Sequence, residues 1–378
     1  PASCDDTTTD DDCYIAIQVG STGDIYKNED GSTATEAQKK QNFANWYSFY
    51  RIRTLALMSA ADLAFWDMSS DIRLAWQTLE GCIDFTGTNC VGVSGTNYPN
   101  YIKQFDGTHR SNFFKWLFDI NSWSGTPLRS AAKRAGDYFS TTSGVNNPYA
   151  ESPQDSVGTE YSCRKNFHIL MTDGQWNGDT ALDTWGNTDG ANLTLPDGSV
   201  YTAAASGDPE SGSAPFRHPF DDSNEDMLAD ILFHYWATDL RTDLENNVLP
   251  LLVDKSGATA AQYVNAKNDP ATWQHMVTFT VGLGLTSSLT NPVWNGSTYE
   301  GDYNNLVSGI KTWPSGKVYD LWHGALNSRG QFFSVEDPNA LATSFKKILQ
   351  TIEDATPSAS ALAANSTATL RAMVRCLK

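Results

Sequence analysis

Asn166-Phe167-His168-Ile169-Leu170-Met171, running directly into Thr172-Asp173-Gly174, is the stretch on which the fold turns. It is apolar without alternation, as expected of a strand covered on both faces in a parallel sheet, and it empties into a loop. Two further runs read the same way, His275 to Gly282 and Gln331 to Val335. Helical patterns separate them. Thr126 ahead of Pro127 starts a helix to Phe139, since a hydroxyl can cap and proline fits the first helical position. Ser223 and Asp226 form a box-like start for a helix reaching about Leu244, and Val318 to Asn327 make a short one. Asp337-Pro338 opens the last, with Leu341, Phe345, Ile348, Leu349 and Ile352 on one face. Strand alternating with helix predicts an α/β fold, a three-layer, doubly wound and mostly parallel sheet. Ligand sites in such sheets lie at the carboxyl ends of strands, which directs attention to Asp173.

Upstream, Cys13 to Val19 reads as a short strand ended by Gly20, after an acidic lead over residues 1–12. Thr35 to Asp67 read as one long helix, with Phe43, Trp46, Tyr47, Tyr50, Leu55, Met58, Ala61 and Phe65 near helical spacing. Trp46, Tyr47 and Tyr50 are expected in the core, and Trp322 and His323 are expected to pack the helix before the last strand. Ile72 to Leu79 alternate as a strand does, and His109 to Ile120 form a helix. Residues 81–108 and 176–222 are rich in Gly, Asn, Asp, Thr and Ser and read as long loop insertions, either a recognition face or a cover. The expected organisation is one domain over residues 1–355 and a tail or linker over 356–378.

Hydrophobic residues make up 40% of the chain and aromatics 12%, enough for a packed core, so wholesale disorder is excluded. Acidic residues outnumber basic ones 44 to 26, a net charge of −18 that argues against nucleic-acid binding. No apolar run approaches the roughly eighteen residues of a membrane span. The chain begins with proline and has no leader pattern, so it reads as processed or cut from a longer precursor. Its six cysteines include no CxxC pair and point to an oxidising compartment. Cys4 with Cys13 and Cys82 with Cys90 would close local loops, leaving Cys163 for Cys376, although six cysteines allow about fifteen connectivities.

No GxSxG, HExxH or P-loop is present, and Gly282-Leu283-Gly284 lacks the third glycine of a dinucleotide fingerprint. His168, His234 and His275 sit in apolar runs and read as hydrogen-bonded core residues. Acidic pairs such as Asp221-Asp222 and Glu225-Asp226 read as solvated surface. A non-catalytic protein is expected. A secreted polysaccharide-acting hydrolase, with Trp- and Asp-rich insertions lining a cleft, is the competing reading. Thr126 and Asp173 stand apart, because a hydroxyl and a carboxylate on loops at one sheet edge are hard oxygen ligands suited to Mg²⁺ or Ca²⁺.

Ser124-Gly125-Thr126-Pro127-Leu128 and Phe167 to Gly174, in this order, resemble the second and third loops of a von Willebrand factor A domain. The resemblance implies a metal-ion-dependent adhesion site holding Mg or Ca through Thr126 and Asp173. The given sequence has no Asp-x-Ser-x-Ser for its first loop, so either that loop lies upstream of Pro1 or the site is incomplete; Asp67-Met68-Ser69-Ser70-Asp71 comes nearest. A wider set of blocks is similar to the PilC/PilY family. They are Asn42 to Arg51, Gly125 to Leu128, Ile169 to Gly174, Leu228 to Ile231, His234 to Trp236, Trp273 to Gly282, Asp320 to Ala325, Gly330 to Ser334 and Ala359 to Asn365. The resemblance implies an adhesion and assembly module of a type IV pilus tip protein, secreted through the periplasm to the cell surface. Its implied partners are minor pilins and host or abiotic surface ligands. A pilus-independent metal-dependent adhesin would share the fold. The family adds a C-terminal calcium-binding β-propeller, whose first blade residues 366–378 do not resemble.

Overall fold

The computed structural model of the chain describes residues 18–21, 27–28, 30–120, 125–142, 146–152, 158–201, 217–256, 262 and 264–355. The expected strand at 13–19, the Cys4–Cys13 pair, Cys376 and the 356–378 tail lie wholly or largely outside these residues. The chain forms two compact units, Pro1–Ser59 and Ala60–Lys378.

In the first unit, helix α1 (Glu36–Phe49) starts at a capping box. Gln38 N–H donates to the Thr35 hydroxyl, and Thr35 N–H donates back to the Gln38 side chain at 2.9 Å. The single helix expected over 35–67 is two, with α2 at Arg53–Phe65. The break has a side-chain cause. The Arg51 guanidinium donates to the Tyr47 carbonyl at 2.7 Å and stacks on the Tyr47 ring, taking the acceptor that the Arg51 backbone N–H would need for the helix to continue. Trp46 and Tyr47, expected in the core, are 49% and 53% exposed. Lys39 and Lys40, one turn before Phe43, interrupt any continuous apolar stripe, and the buried residue of α1 is Lys39 rather than an aromatic.

In the second unit, two-residue strands β1 (Arg73–Leu74) and β2 (Lys103–Gln104) pair antiparallel, which is all that forms of the strand expected at 72–79. Helices α3 (Gly107–Leu117) and α4 (Leu128–Phe139) follow, then β3 (Asn166–Thr172). A small hairpin, β4 (Leu193–Thr194) with β5 (Val200–Tyr201), precedes α5 (Leu228–Ala237) and β6 (Met276–Leu283). The chain continues through α6 (Tyr303–Val307), α7 (Lys317–Asn327), β7 (Phe332–Val335) and α8 (Pro338–Ala355). Strands β3, β6 and β7 form a parallel sheet in that order, with Thr172 opposite Gly282 and Leu283 opposite Val335. The expected α/β class with a parallel sheet is therefore observed.

Every residue of β6 is buried. Its threonines are tolerated there because each finds a partner: the Thr280 hydroxyl donates to the Leu321 carbonyl at 2.7 Å, and the Thr278 hydroxyl lies 3.4 Å from His168 Nδ1. His275 is likewise a satisfied core residue, between the Trp273 carbonyl at 2.7 Å and Asp269 at 2.9 Å. Trp322 and His323 are buried as expected. Within the 81–108 segment, the expected Cys82–Cys90 disulfide closes a local loop. Cys163 is also disulfide-bonded, its partner lying outside the described residues.

The 176–222 excursion is more than a covering loop, because Trp176, Leu182, Leu195, Tyr201 and Phe220 join the main hydrophobic core. Helix α5 is shorter than expected. It begins after Asp226, whose φ of 61° is left-handed, so Ser223 cannot cap it. Gly330 shows how closely the layers approach. A Cβ there would stand 1.9 Å from the Thr278 carbonyl oxygen, on the backbone of the central strand. Gly330→Ala is expected to cost about 3 kcal/mol in urea denaturation, since that carbonyl can move only with β6. A loss below about 1 kcal/mol would show that the sheet yields there.

Candidate functional site

Thr126 lies on the loop leading into α4, and Asp173 is exposed immediately after β3 at the carboxyl edge of the sheet. The two loops are stitched together by Asn177. Its backbone N–H donates to the Thr126 carbonyl at 2.9 Å, and its side-chain oxygen accepts from Thr126 N–H at 3.1 Å. Gly125, with φ of 114°, makes the turn possible, and the Glu80 carboxylate lies 3.2 Å from where its Cβ would be.

Thr126 does not cap α4; Pro127 occupies that position and makes no side-chain cap. The buried carboxylate of Asp179, arriving from the loop after β3, performs that role instead. It accepts from Arg129 N–H at 3.1 Å and from the Ser130 hydroxyl at 2.6 Å. The buried Arg129 guanidinium donates to the Asp179 and Asp226 carbonyls and to Asp183. It also lies 3.9 Å above the Trp176 ring, with Lys317 Nζ 3.6 Å from the same ring.

Trp176 Nε1–H donates at 2.6 Å to Asp320, which is buried in α7. Asp320 also accepts from Leu228 N–H at 2.9 Å and Ala229 N–H at 2.8 Å, so a carboxylate from another helix caps α5. Burial raises the Asp320 pKa despite these three donors. The edge therefore joins two helix N-termini, each neutralised by a remote carboxylate, around a tryptophan held between two cations. Nothing in the sequence marks Asp179 or Asp320 as a cap for another helix: the first follows an Asn-Gly pair and reads as a turn residue, and the second lies in the first turn of α7, where an acid suits that helix's own N-terminus.

Thr126 and Asp173 offer two oxygen ligands, of the right hardness for Mg²⁺ or Ca²⁺ but fewer than the roughly six to eight such ions take. Among the described residues, no group of three or more His, Cys, Asp or Glu is arranged to hold a metal. The nearest Asp-x-Ser-x-Ser-like segment follows α2, where Ser69 N–H donates to Glu353 at 3.1 Å and Asp71 N–H to the Ser69 hydroxyl at 3.1 Å.

No family model and no solved structure matches the chain. It is 47% identical over 325 residues to the type IV pilus biogenesis factor PilY1 of Pseudomonas aeruginosa strain PAK, covering 84% of this chain and 26% of that protein. This chain is a PilY1 homologue. The PilY1 of strain UCBPP-PA14 is 43% identical over 337 residues, covering 86% of this chain and 27% of its own length. The chain thus spans about a quarter of the length of the PilY1 proteins it matches. No described helix is long and apolar enough to cross a membrane.

Proposed function

We propose that this chain is a non-catalytic adhesion and assembly module of a type IV pilus tip protein, built as a von Willebrand factor A-type domain. The observation that carries the proposal is the 47% identity with PilY1 over 325 residues, which takes in both loops of the sheet edge described above. The fold is compatible with that domain type, because its three core strands run parallel among helices. The module would bind minor pilins, a host or abiotic surface ligand, or both, after secretion through the periplasm to the cell surface. Thr126 and Asp173 would hold a Mg²⁺ or Ca²⁺ ion, with water and a partner's carboxylate completing its coordination. The cation would supply charge for recognition rather than catalysis.

Purified chain is expected to capture minor pilins in a pull-down, and absence of capture would overturn the pilin partnership. Calorimetric titration with MgCl₂ and CaCl₂ tests the cation separately. Saturable binding is expected, weakened about tenfold or more in Asp173→Ala through loss of one charged ligand. Unchanged binding in that variant would remove Asp173 from the site.

A further inference from the structure

At the opposite, amino-terminal end of the sheet, Arg73 in β1 and Arg164, two residues before β3, converge on one carbonyl oxygen. Arg73 Nη1 donates to the Pro148 carbonyl at 3.0 Å and Arg164 Nη1 to the same carbonyl at 3.1 Å. Arg164 Nη1 also donates to the Ala150 carbonyl at 2.7 Å, and its guanidinium stacks 4.6 Å from the Tyr161 ring. Both side chains are half-buried, and Arg73 Nη2 is sealed from solvent with no hydrogen-bond partner. Among the described residues, neither guanidinium has a carboxylate within ion-pairing distance, whereas the buried Arg129 and Arg241 do.

Two half-buried positive charges sharing one neutral acceptor are costly, in a chain whose acids outnumber its bases by 18. Burial lowers the Arg73 pKa to about 10, and burial with the neighbouring Arg73 charge lowers Arg164 to about 9. Both groups remain charged at neutral pH, so the repulsion persists. Tyr161 and Glu151 pull the other way on Arg164.

The geometry points to an oxyanion site, in which Arg73 and Arg164 jointly bind a phosphate or carboxylate group. The planar forks of two arginines suit such groups, and a bound oxyanion would neutralise the pair. The site stands on the far edge of the sheet from Asp173 and does not depend on the proposed function.

Calorimetry on the 378-residue chain, titrating inorganic phosphate and, separately, acetate into chloride buffer of fixed ionic strength, tests it. Saturable binding of phosphate alone would make it a phosphate site, and binding of acetate as well a carboxylate site. Arg73→Lys keeps the charge and the fold while removing the fork, and is expected to weaken binding about tenfold. Arg164→Gln is expected to abolish binding and to raise the thermal midpoint in anion-free buffer, because one of two repelling charges is gone. No saturable binding of either anion, or binding unchanged by Arg73→Lys, would overturn the assignment.

Discussion

Asp320→Ala is expected to destabilise the chain by about 4 kcal/mol or more in urea denaturation, because three buried donors lose their common acceptor. Leu228 N–H, Ala229 N–H and Trp176 Nε1–H all end on this one carboxylate. An alanine fills none of that demand, and the buried position admits no compensating water without a cavity. Asp320→Asn keeps an oxygen that can sit where Leu228 N–H and Trp176 Nε1–H converge. It turns an amide donor toward Ala229 N–H, so about 2 kcal/mol is expected. Trp176 fluorescence should shift along with stability, since the same loss frees the indole from its carboxylate while the cations at 3.9 and 3.6 Å remain. A loss below about 1 kcal/mol for the alanine variant would mean that α5 is not capped this way.

The second large effect concerns pH. The buried His323 lies with Nε2 at 2.8 Å from the Phe220 carbonyl and 3.5 Å from Asp189, and with Nδ1 at 3.4 Å from Asp222. Asp230 and Asn327 complete the surroundings; Asn327 donates to Asp189 at 2.7 Å, and Asp230 accepts from Met227 N–H and Thr188 N–H. Burial alone would lower the His323 pKa, but the hydrogen bond to Asp222 and the charges of Asp189 and Asp222 raise it to about 9. A raised histidine contributes stability that is fully present below its unfolded value near 6.5 and is lost as pH climbs through about 9. The shift corresponds to about 3 kcal/mol.

The acids add to the slope at lower pH. Burial raises Asp230 to about 6, so its contribution is lost as pH rises from 3.8 through about 6; Asp189 shifts in the same direction. Asp222 is held below the ordinary carboxylate value by His323 and Asn224 in spite of its burial, and so loses stability only in strong acid. Urea midpoints should therefore fall steadily between about pH 6.5 and pH 9.5, and His323→Gln should flatten that decline. An equally steep decline in the variant would place the titration elsewhere. Because Asp189 and Asp222 belong to the excursion and His323 to α7, the same measurement reports how firmly the excursion is tied down.

The two core strands were legible because β3 and β6 are mostly apolar, with no charged residue, over seven and eight positions, as strands inside a parallel sheet are. Asp337 as the start of α8 was legible for a local reason: its side chain accepts from Asn339 and Ala340 N–H, two and three residues on. The long helix over 35–67 misled because aromatic spacing suggested a buried stripe, whereas the Arg51 side chain takes the Tyr47 carbonyl and α1 ends at Phe49. The excursion misled too, its anchors Trp176, Leu182, Leu195, Tyr201 and Phe220 being too widely spaced to show a period.

By itself, the sequence determined the fold class, the order of the parallel strands along the chain and the two loops that carry Thr126 and Asp173, since each depends on neighbours within a few residues. Tertiary structure alone decided which remote carboxylates reach the N-termini of α4 and α5. Asp179 reaches α4 from about fifty residues away and Asp320 reaches α5 from about ninety, separations that no local pattern encodes. It alone brought Arg73 to Arg164 as well, because a shared carbonyl is a property of packing, where a charge's surroundings are set by what folds against it.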